Sequence, residues 1–268
     1  ESVLTLKLGI PVVIAQILLI SMQFVDTVMA GHVSAGDLAA LGIATALFHP
    51  LLLLMVGVLM AVTPMVAQLK GSQKDDRISK VVADALQLSL VFTLPLILLL
   101  HLLEPLMEFI GYPEEVSRIG DGYLQAVAWG VPAMLAYDVF RHFNEGVALT
   151  RPNMYFHIVG LMLNILGNYT LMFGHFGFPA MGAVGAGWST ALVWNMMFLM
   201  MILFSIKNTR LRKYLKLGDF FRIHLLNTRE ILRIGVPNGL STGAETGLFA
   251  LVAPVSYTHL TLPTICSV

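Results

Sequence analysis

From Leu51 to Val66, and again from Val91 to Leu103, the chain carries no Asp, Glu, Lys or Arg, so a helix there has no charged face to turn to water. Such a helix must be enclosed by protein on all sides or stand in lipid. Composition decides between the two. Of 268 residues, 57% are hydrophobic and 12% charged, whereas a soluble domain is about 25% charged. A soluble fold of this length could not cover so much apolar surface with so little polar surface. A bilayer removes that demand.

A hydrocarbon core of about 30 Å needs about 20 residues of helix. Spans are predicted at 8–31, 43–69, 83–110, 120–147, 153–174, 182–206 and 230–254. All must be helical, because lipid offers no partner to a free backbone N–H or C=O. Lys and Arg collect on the cytoplasmic side of such proteins. Lys7 precedes span one, and Lys70, Lys74, Arg77 and Lys80 lie between spans two and three. Arg151 lies between spans four and five, and Lys207, Arg210, Arg212, Lys213, Lys216, Arg222, Arg229 and Arg233 lie between six and seven or at the start of seven. The opposite loops, His32–Gly42, Gly111–Ile119 and His175–Met181, hold only Arg118. A cytoplasmic amino terminus is therefore expected.

Leu6-Lys7-Leu8-Gly9-Ile10-Pro11 opens span one, and Leu232-Arg233-Ile234-Gly235-Val236-Pro237 opens span seven, matched in type at every position. A unit with an even number of spans repeats with unchanged orientation, as in transporters with parallel repeats. The expected fold class is all-α: a polytopic membrane protein cut from a twelve-helix transporter. Its six-helix amino-terminal lobe would occupy 1–206, a cytoplasmic linker 207–229, and the first helix of a second, repeated lobe 230–254. The chain opens on Glu1 and not Met, so its true start is expected upstream. The first apolar span is too long for a cleavable signal peptide and no small-residue cleavage site follows it. Val255 to Thr264 resembles a translated transposase sequencing adapter, and 255–268 is expected to be a non-native tail. The lone cysteine, Cys266, falls there, which leaves no disulfide framework and no thiolate metal site. A net charge of zero argues against a nucleic-acid partner.

A charge at the bilayer centre costs at least about 2.5–3.5 kcal/mol on insertion scales, so each one needs a reason. Span one carries Gln16, Gln23 and Asp26 on one stripe, with Thr27 beside it. An enclosed carboxylate without a neighbouring cation suits a proton carrier or, ionised, a ligand for a hard cation; the alternative is an Asp merely hydrogen-bonded near the outer boundary. Span five carries His157, Asn164 and Asn168 on one face. Asparagine carbonyls can ligate a cation and their amides can bond a carboxylate, although Asn also simply joins membrane helices. Span four ends in Asp138, Arg141, His142 and Glu145, where Asp138–Arg141 and Arg141–Glu145 pairing is expected. Span seven carries Asn238, Ser241, Thr242 and Glu245 on one face and a ridge of Gly235, Gly239, Gly243 and Gly247 on the other. The ridge permits a close helix neighbour and turns Glu245 toward a cavity. Prolines Pro11, Pro50, Pro64, Pro95, Pro132 and Pro237 in or near spans permit bending.

Several enzyme patterns fail. Gly239-Leu240-Ser241-Thr242-Gly243 matches a nucleophile elbow in letters, but it lies within an apolar helix and not at a strand-to-helix turn. Gly185-Ala186-Gly187 lacks the third glycine and preceding strand of a dinucleotide loop, and neither a phosphate-binding Walker loop nor a His-Glu-x-x-His zinc motif is present. The chain reads as a non-enzyme with no built-in ATPase. His32, His49, His101 and His175 are scattered and read as interfacial or helix-bonded.

The sequence resembles the multidrug and toxic compound extrusion family, NorM-like branch, over residues 4–254. The stretches that carry the resemblance are Gly9-Ile10-Pro11, Phe24-Val25-Asp26-Thr27-Val28-Met29-Ala30-Gly31, Pro64-Met65-Val66-Ala67-Gln68-Leu69, Glu145-Gly146 before Thr150-Arg151-Pro152, Leu163-Asn164, Asn168 and Gly182-Ala183-Val184-Gly185. The resemblance implies a twelve-helix transporter with two lobes around a central cavity, exporting cationic amphipathic drugs in exchange for Na⁺ or H⁺. It implies that Asp26, Glu145, Asn164 and Asn168 form the cation site of the amino lobe, with Asp26, Asn164 and Asn168 as metal ligands if Na⁺ is the ion. Gln23, Asp138, Ser241 and Glu245 are expected to face the substrate. No cofactor is expected beyond the coupling ion; the partners are small cationic drug-like molecules and membrane lipid, and the full-length protein is expected to be a monomer in the bacterial inner membrane. Two departures are Leu166, where the family often has proline, and Asp138. The alternatives are a flippase for lipid-linked precursors, which would need basic residues in its cavity, and a non-transporting scaffold.

Overall fold

The computed structural model describes residues 2–221, 227–245 and 247. The predicted tail, 255–268, and the end of the seventh span lie outside them. Helices α1 (Ser2–Val33), α2 (Ala35–Leu59), α3 (Val62–Gly71), α4 (Asp75–Ile110), α5 (Glu114–Ala128), α6 (Val131–Gly146), α7 (Arg151–Leu171), α8 (Ala183–Lys207) and the short α9 (Thr209–Arg212) follow in order. A 3-10 turn, Leu217–Phe221, comes next, and α10 occupies 227–245. No strand occurs among the described residues.

By length and composition, four described stretches are fit to cross a membrane: Leu6–Val33, Ala35–Gly71, Asp75–Leu103 and Ala183–Lys207. They are spans one, two, three and six. Spans four and five are the α5–α6 pair and α7, whose inward polar residues dilute their hydropathy. An outer belt of bare apolar side chains marks the surface meant for lipid. Ile10, Val13, Ile17, Ile20 and Phe24 form one such stripe on α1, and Leu90, Val91, Leu94 and Leu98 another on α4.

Two predicted spans are broken helices. The second is interrupted at Met60–Ala61 and the fourth at Trp129–Gly130. Both interruptions lie just before a proline. Pro64 sits in the first turn of α3 and Pro132 in the first turn of α6, where the missing N–H costs nothing and the ring fits. The predicted outer loop His32–Gly42 also differs: only Ser34 interrupts the helices there. Its hydroxyl accepts from the Asp37 N–H at 2.9 Å, an N-cap that lets α2 begin eight residues earlier than hydropathy alone predicts.

The bundle packs α1 against α7 and α2, α8 against α5, α7 and α6, and α4 against α5 and α6. The segment after α8 is fastened to α4. The Lys216 N–H donates to Ser79 Oγ at 2.9 Å, Gln87 Nε2 donates to the Phe220 carbonyl at 3.0 Å, and Asn227 Nδ2 donates to Asp84 at 2.9 Å. Lys216 also meets Asp76 at 2.5 Å, and that hydrogen bond holds the Asp76 carboxyl below the usual carboxylate range.

The glycine ridge of α10 lies on α2, as its spacing predicts. A Cβ on Gly57 would stand 2.6 Å from the Cα of Gly239. A Cβ on Gly235 would collide with the Val58 carbonyl, and one on Gly239 with the Leu54 carbonyl. The two backbones touch with no side chain between them. Gly239→Leu in the full-length protein is therefore expected to destabilise it by about 1–3 kcal/mol through overpacking. Thermal unfolding in detergent measures this, with Gly9→Ala as the neutral control because a Cβ there meets nothing within 4 Å.

Candidate functional site

A cavity of about 320 Å³ opens between α1, α2, α5 and α6, with α7 and α8 closing its back. Its polar wall comes from Gln16, Gln23, Asp26 and Thr27 on α1, Thr45 and His49 on α2, and Asp138 and Arg141 on α6. The apolar wall includes Met22, Phe48, Leu52, Met134 and Trp194. The stripe read on span one faces inward as a unit.

Asp26, 8% exposed, is a buried carboxylate of that wall. Its Oδ1 accepts from Asn164 Nδ2 at 2.9 Å and from Asn168 Nδ2 at 2.6 Å, and Thr190 Oγ1 donates to Oδ2 at 3.4 Å. Both asparagines are fully buried on one face of α7. Their own Oδ1 atoms are also buried and have no hydrogen-bond partner among the described residues. An amide is nearly symmetric in shape, so rotating it exchanges donor and acceptor. In one setting the two amides donate to an ionised carboxylate; in the other they present carbonyl oxygens beside it, the donor set of a hard cation. The residues present therefore fit either a proton or a small cation.

A second cluster lies along α6. Arg141 Nε donates to Asp138 Oδ1 at 2.8 Å, as predicted. Glu145 differs: its partner is His142, with Nδ1 at 3.3 Å from Oε2, and not Arg141. Arg141 Nη2 lies 3.3 Å from His142 Nε2. A guanidinium only donates, so Nε2 accepts and Nδ1 carries the proton aimed at Glu145. Thr63 Oγ1, from α3, closes the group 3.0 Å from His142 Nδ1. Glu145 is absent from the cavity wall and shares no contact with Asp26. Gln23 and Asp138 do line the cavity. Ser241 and Glu245 lie on the exposed face of α10, outside it.

Sequence reasoning passed over three side chains. His49, placed among scattered histidines, lies in the cavity with Nε2 at 2.9 Å from Gln23 Nε2, joining α2 to α1. The helical spacing of Thr45, His49, Leu52 and Val56, all on the cavity wall, carries that signal. Thr190 reaches Asp26 from α8. Asp37, assigned to a loop, is buried: Oδ1 accepts from the Ala183 N–H at 2.6 Å and Oδ2 from Ser34 Oγ at 2.6 Å. It caps α8 from a distant helix. Gly182 beside it has a φ of 55°, and a Cβ there would meet the Asp37 carboxylate.

Long apolar helices around a polar-lined cavity are the architecture of a membrane transporter. The family model MatE matches residues 11–170, and the chain belongs to that family, the multidrug and toxic compound extrusion transporters and not a family of enzymes. It is 39% identical over 248 residues to the multidrug resistance protein NorM of Photobacterium profundum, covering 92% of this chain and 54% of that protein. It is 37% identical over 248 residues to NorM of Vibrio cholerae, covering 92% and 54%. The chain thus spans about half the length of the curated relatives it matches. Among solved structures, a eukaryotic MATE transporter, AtDTX14, superposes with a TM-score of 0.84 at 16% identity, over 94% of this chain and 55% of that one. An outward-facing multidrug resistance MATE transporter of the MOP superfamily does so with a TM-score of 0.79 at 21% identity, over 89% and 52%. These likenesses show the fold.

Asp37→Ala leaves the buried Ala183 N–H without a partner, and a loss of about 1–3 kcal/mol is expected. Asp37→Asn keeps an acceptor and should retain most of the stability. Detergent unfolding midpoints of the two variants check the difference.

Proposed function

We propose that the full-length protein exports cationic amphipathic compounds across the bacterial inner membrane, as a monomer, by alternating access coupled to inward movement of Na⁺ or H⁺. The observation that carries this reading is Asp26, a carboxylate on the cavity wall wrapped by Asn164, Asn168 and Thr190. A cationic substrate and the coupling ion compete for the same negative charge. Loading from outside neutralises Asp26 and releases the amide donors, and α1 then repacks against α7. The membrane potential contributes about 2.3 kcal/mol per charge per 100 mV.

The reading further takes 1–206 as one lobe, 207–229 as a cytoplasmic linker and 230–254 as the opening helix of a second lobe. The matched Leu6–Pro11 and Leu232–Pro237 openings support it. Glu145 and Glu245 would serve this cycle away from Asp26: Glu145 at the His142 cluster, and Glu245 facing the second lobe. The flippase reading is less favoured, because Arg141, the one guanidinium among the described cavity residues, is paired with Asp138.

Asp26→Asn in the full-length protein, at unchanged expression, is expected to abolish drug resistance in a susceptible bacterial host. Unchanged resistance would remove Asp26 from the mechanism. Displacement of a bound cationic dye from purified protein by Na⁺, or by acid in its absence, identifies the ion. For orientation, a cysteine-free background of the full-length protein is used. Gly177→Cys should then react with a membrane-impermeant maleimide on whole spheroplasts, and Gln73→Cys only after lysis.

A further inference from the structure

Between Glu145 and Asp219 the chain has no Asp or Glu, and Lys207, Arg210, Arg212, Lys213 and Lys216 crowd the end of that interval. Such a bias sets which side of a membrane a loop occupies, but it leaves open what faces the charges. Two of these cations are answered from α4: Lys213 Nζ lies 3.4 Å from Asp75, and Lys216 Nζ 2.5 Å from Asp76. Lys207, Arg210 and Arg212 are exposed and have no ion-pair partner among the described residues.

These three stand on a built turn. The Asn208 side chain accepts from the Arg210 N–H at 2.9 Å and starts α9. Leu211 is fully buried, and the Tyr214 ring meets Phe143 of α6 edge-on, with centroids 6.3 Å apart. With Leu211 and Tyr214 turned inward, the arginines on either side of Leu211 are left at the surface. Lys207 is the last residue of α8, a helix long and apolar enough to cross a membrane. Before it, Leu199, Leu203 and Ile206 are bare and fall on one face by helical spacing. A molecule lying on that face has its apolar part on the stripe and its polar end level with Lys207 and α9.

We propose that this corner of the lobe binds an anionic phospholipid, with an acyl chain along Leu199, Leu203 and Ile206 and the phosphodiester on Lys207, Arg210 and Arg212. Guanidinium groups match phosphate oxygens by charge-assisted hydrogen bonds, and Lys or Arg clustered just outside a membrane helix attract anionic headgroups. Other polyanions, such as an acidic peptide, have no use for the apolar stripe. The site lies outside the cavity and does not rest on the export reading.

The test counts lipids on the purified full-length protein. The protein is exchanged into detergent with equal amounts of phosphatidylglycerol and phosphatidylethanolamine, and the lipids it retains are identified by native mass spectrometry. At low salt the anionic lipid should be retained about tenfold over the zwitterionic one. Replacing Lys207, Arg210 and Arg212 together by Gln should bring that ratio to within about twofold of unity. Replacing Lys7, Lys74 and Arg77 by Gln removes as many exposed cations elsewhere and should leave it unchanged. Arg210→Lys with Arg212→Lys keeps the charges and should keep most of the preference; its loss there as well makes the effect one of folding and overturns the assignment. Equal loss in both Gln variants, or no preference in the unaltered protein, overturns it too. Inorganic phosphate that strips the lipid where chloride at matched ionic strength does not assigns the turn to a free phosphate and overturns the lipid. Dye binding, which reports on export, is measured separately, so either reading can fail alone.

Discussion

In hydrocarbon a backbone N–H or C=O without a partner costs several kcal/mol, and there is no water to supply one. Continuous helices meet this constraint by themselves. The α2–α3 break meets it with backbone bonds, Thr63 N–H to the Met60 carbonyl at 3.2 Å among them, and three other helix ends meet it with borrowed side chains. At the α5–α6 break, Asn195 Nδ2 donates to the Trp129 carbonyl at 3.2 Å from α8. At the end of α6, Lys70 Nζ donates to the Val147 carbonyl at 2.6 Å from α3. At the start of α8, Asp37 takes the Ala183 N–H. Each polar side chain that mends a break also joins two helices, so the exceptions to helical continuity are also the joints of the bundle.

The same economy shapes the cavity. Asp26 could not stay charged among apolar neighbours without donors, and three side chains from α7 and α8 supply them. Arg141 could not stay charged without an anion, and Asp138 supplies it one turn away. One charge is held by neutral dipoles from other helices, the other by an ion on its own helix. The first can lose its partners by rotation of two amides; the second keeps its partner for as long as α6 stays helical.

Much of this was legible in the sequence. The places of spans one, two, three and six followed from apolar length, the inward stripe of α1 from its spacing, and the glycine ridge of α10 from a period of four. The breaks were not legible. A proline within a span reads as a bend, and whether it opens a new helix depends on neighbours such as Asn195 that lie far off in the chain. Asp37 escaped notice because its partner, the Ala183 N–H, is backbone and leaves no mark in composition. The meeting of Asp26 with Asn164 and Asn168 came from family resemblance and not from spacing, since helical periodicity assigns faces and does not pair them. Periodicity also suggested Arg141–Glu145, where the packing of α3 instead set His142 between them.

The contact of Gly57 with Gly239 has one more property. The ridge on α10 repeats glycine every four residues, so sliding α10 along α2 by about 6 Å would bring Gly235 or Gly243 to the place of Gly239 and rebuild much the same fit. The Leu54 and Val58 side chains of α2 flank the glycines and stand between one setting and the next. The stable settings of the seam are therefore discrete, one helical turn apart.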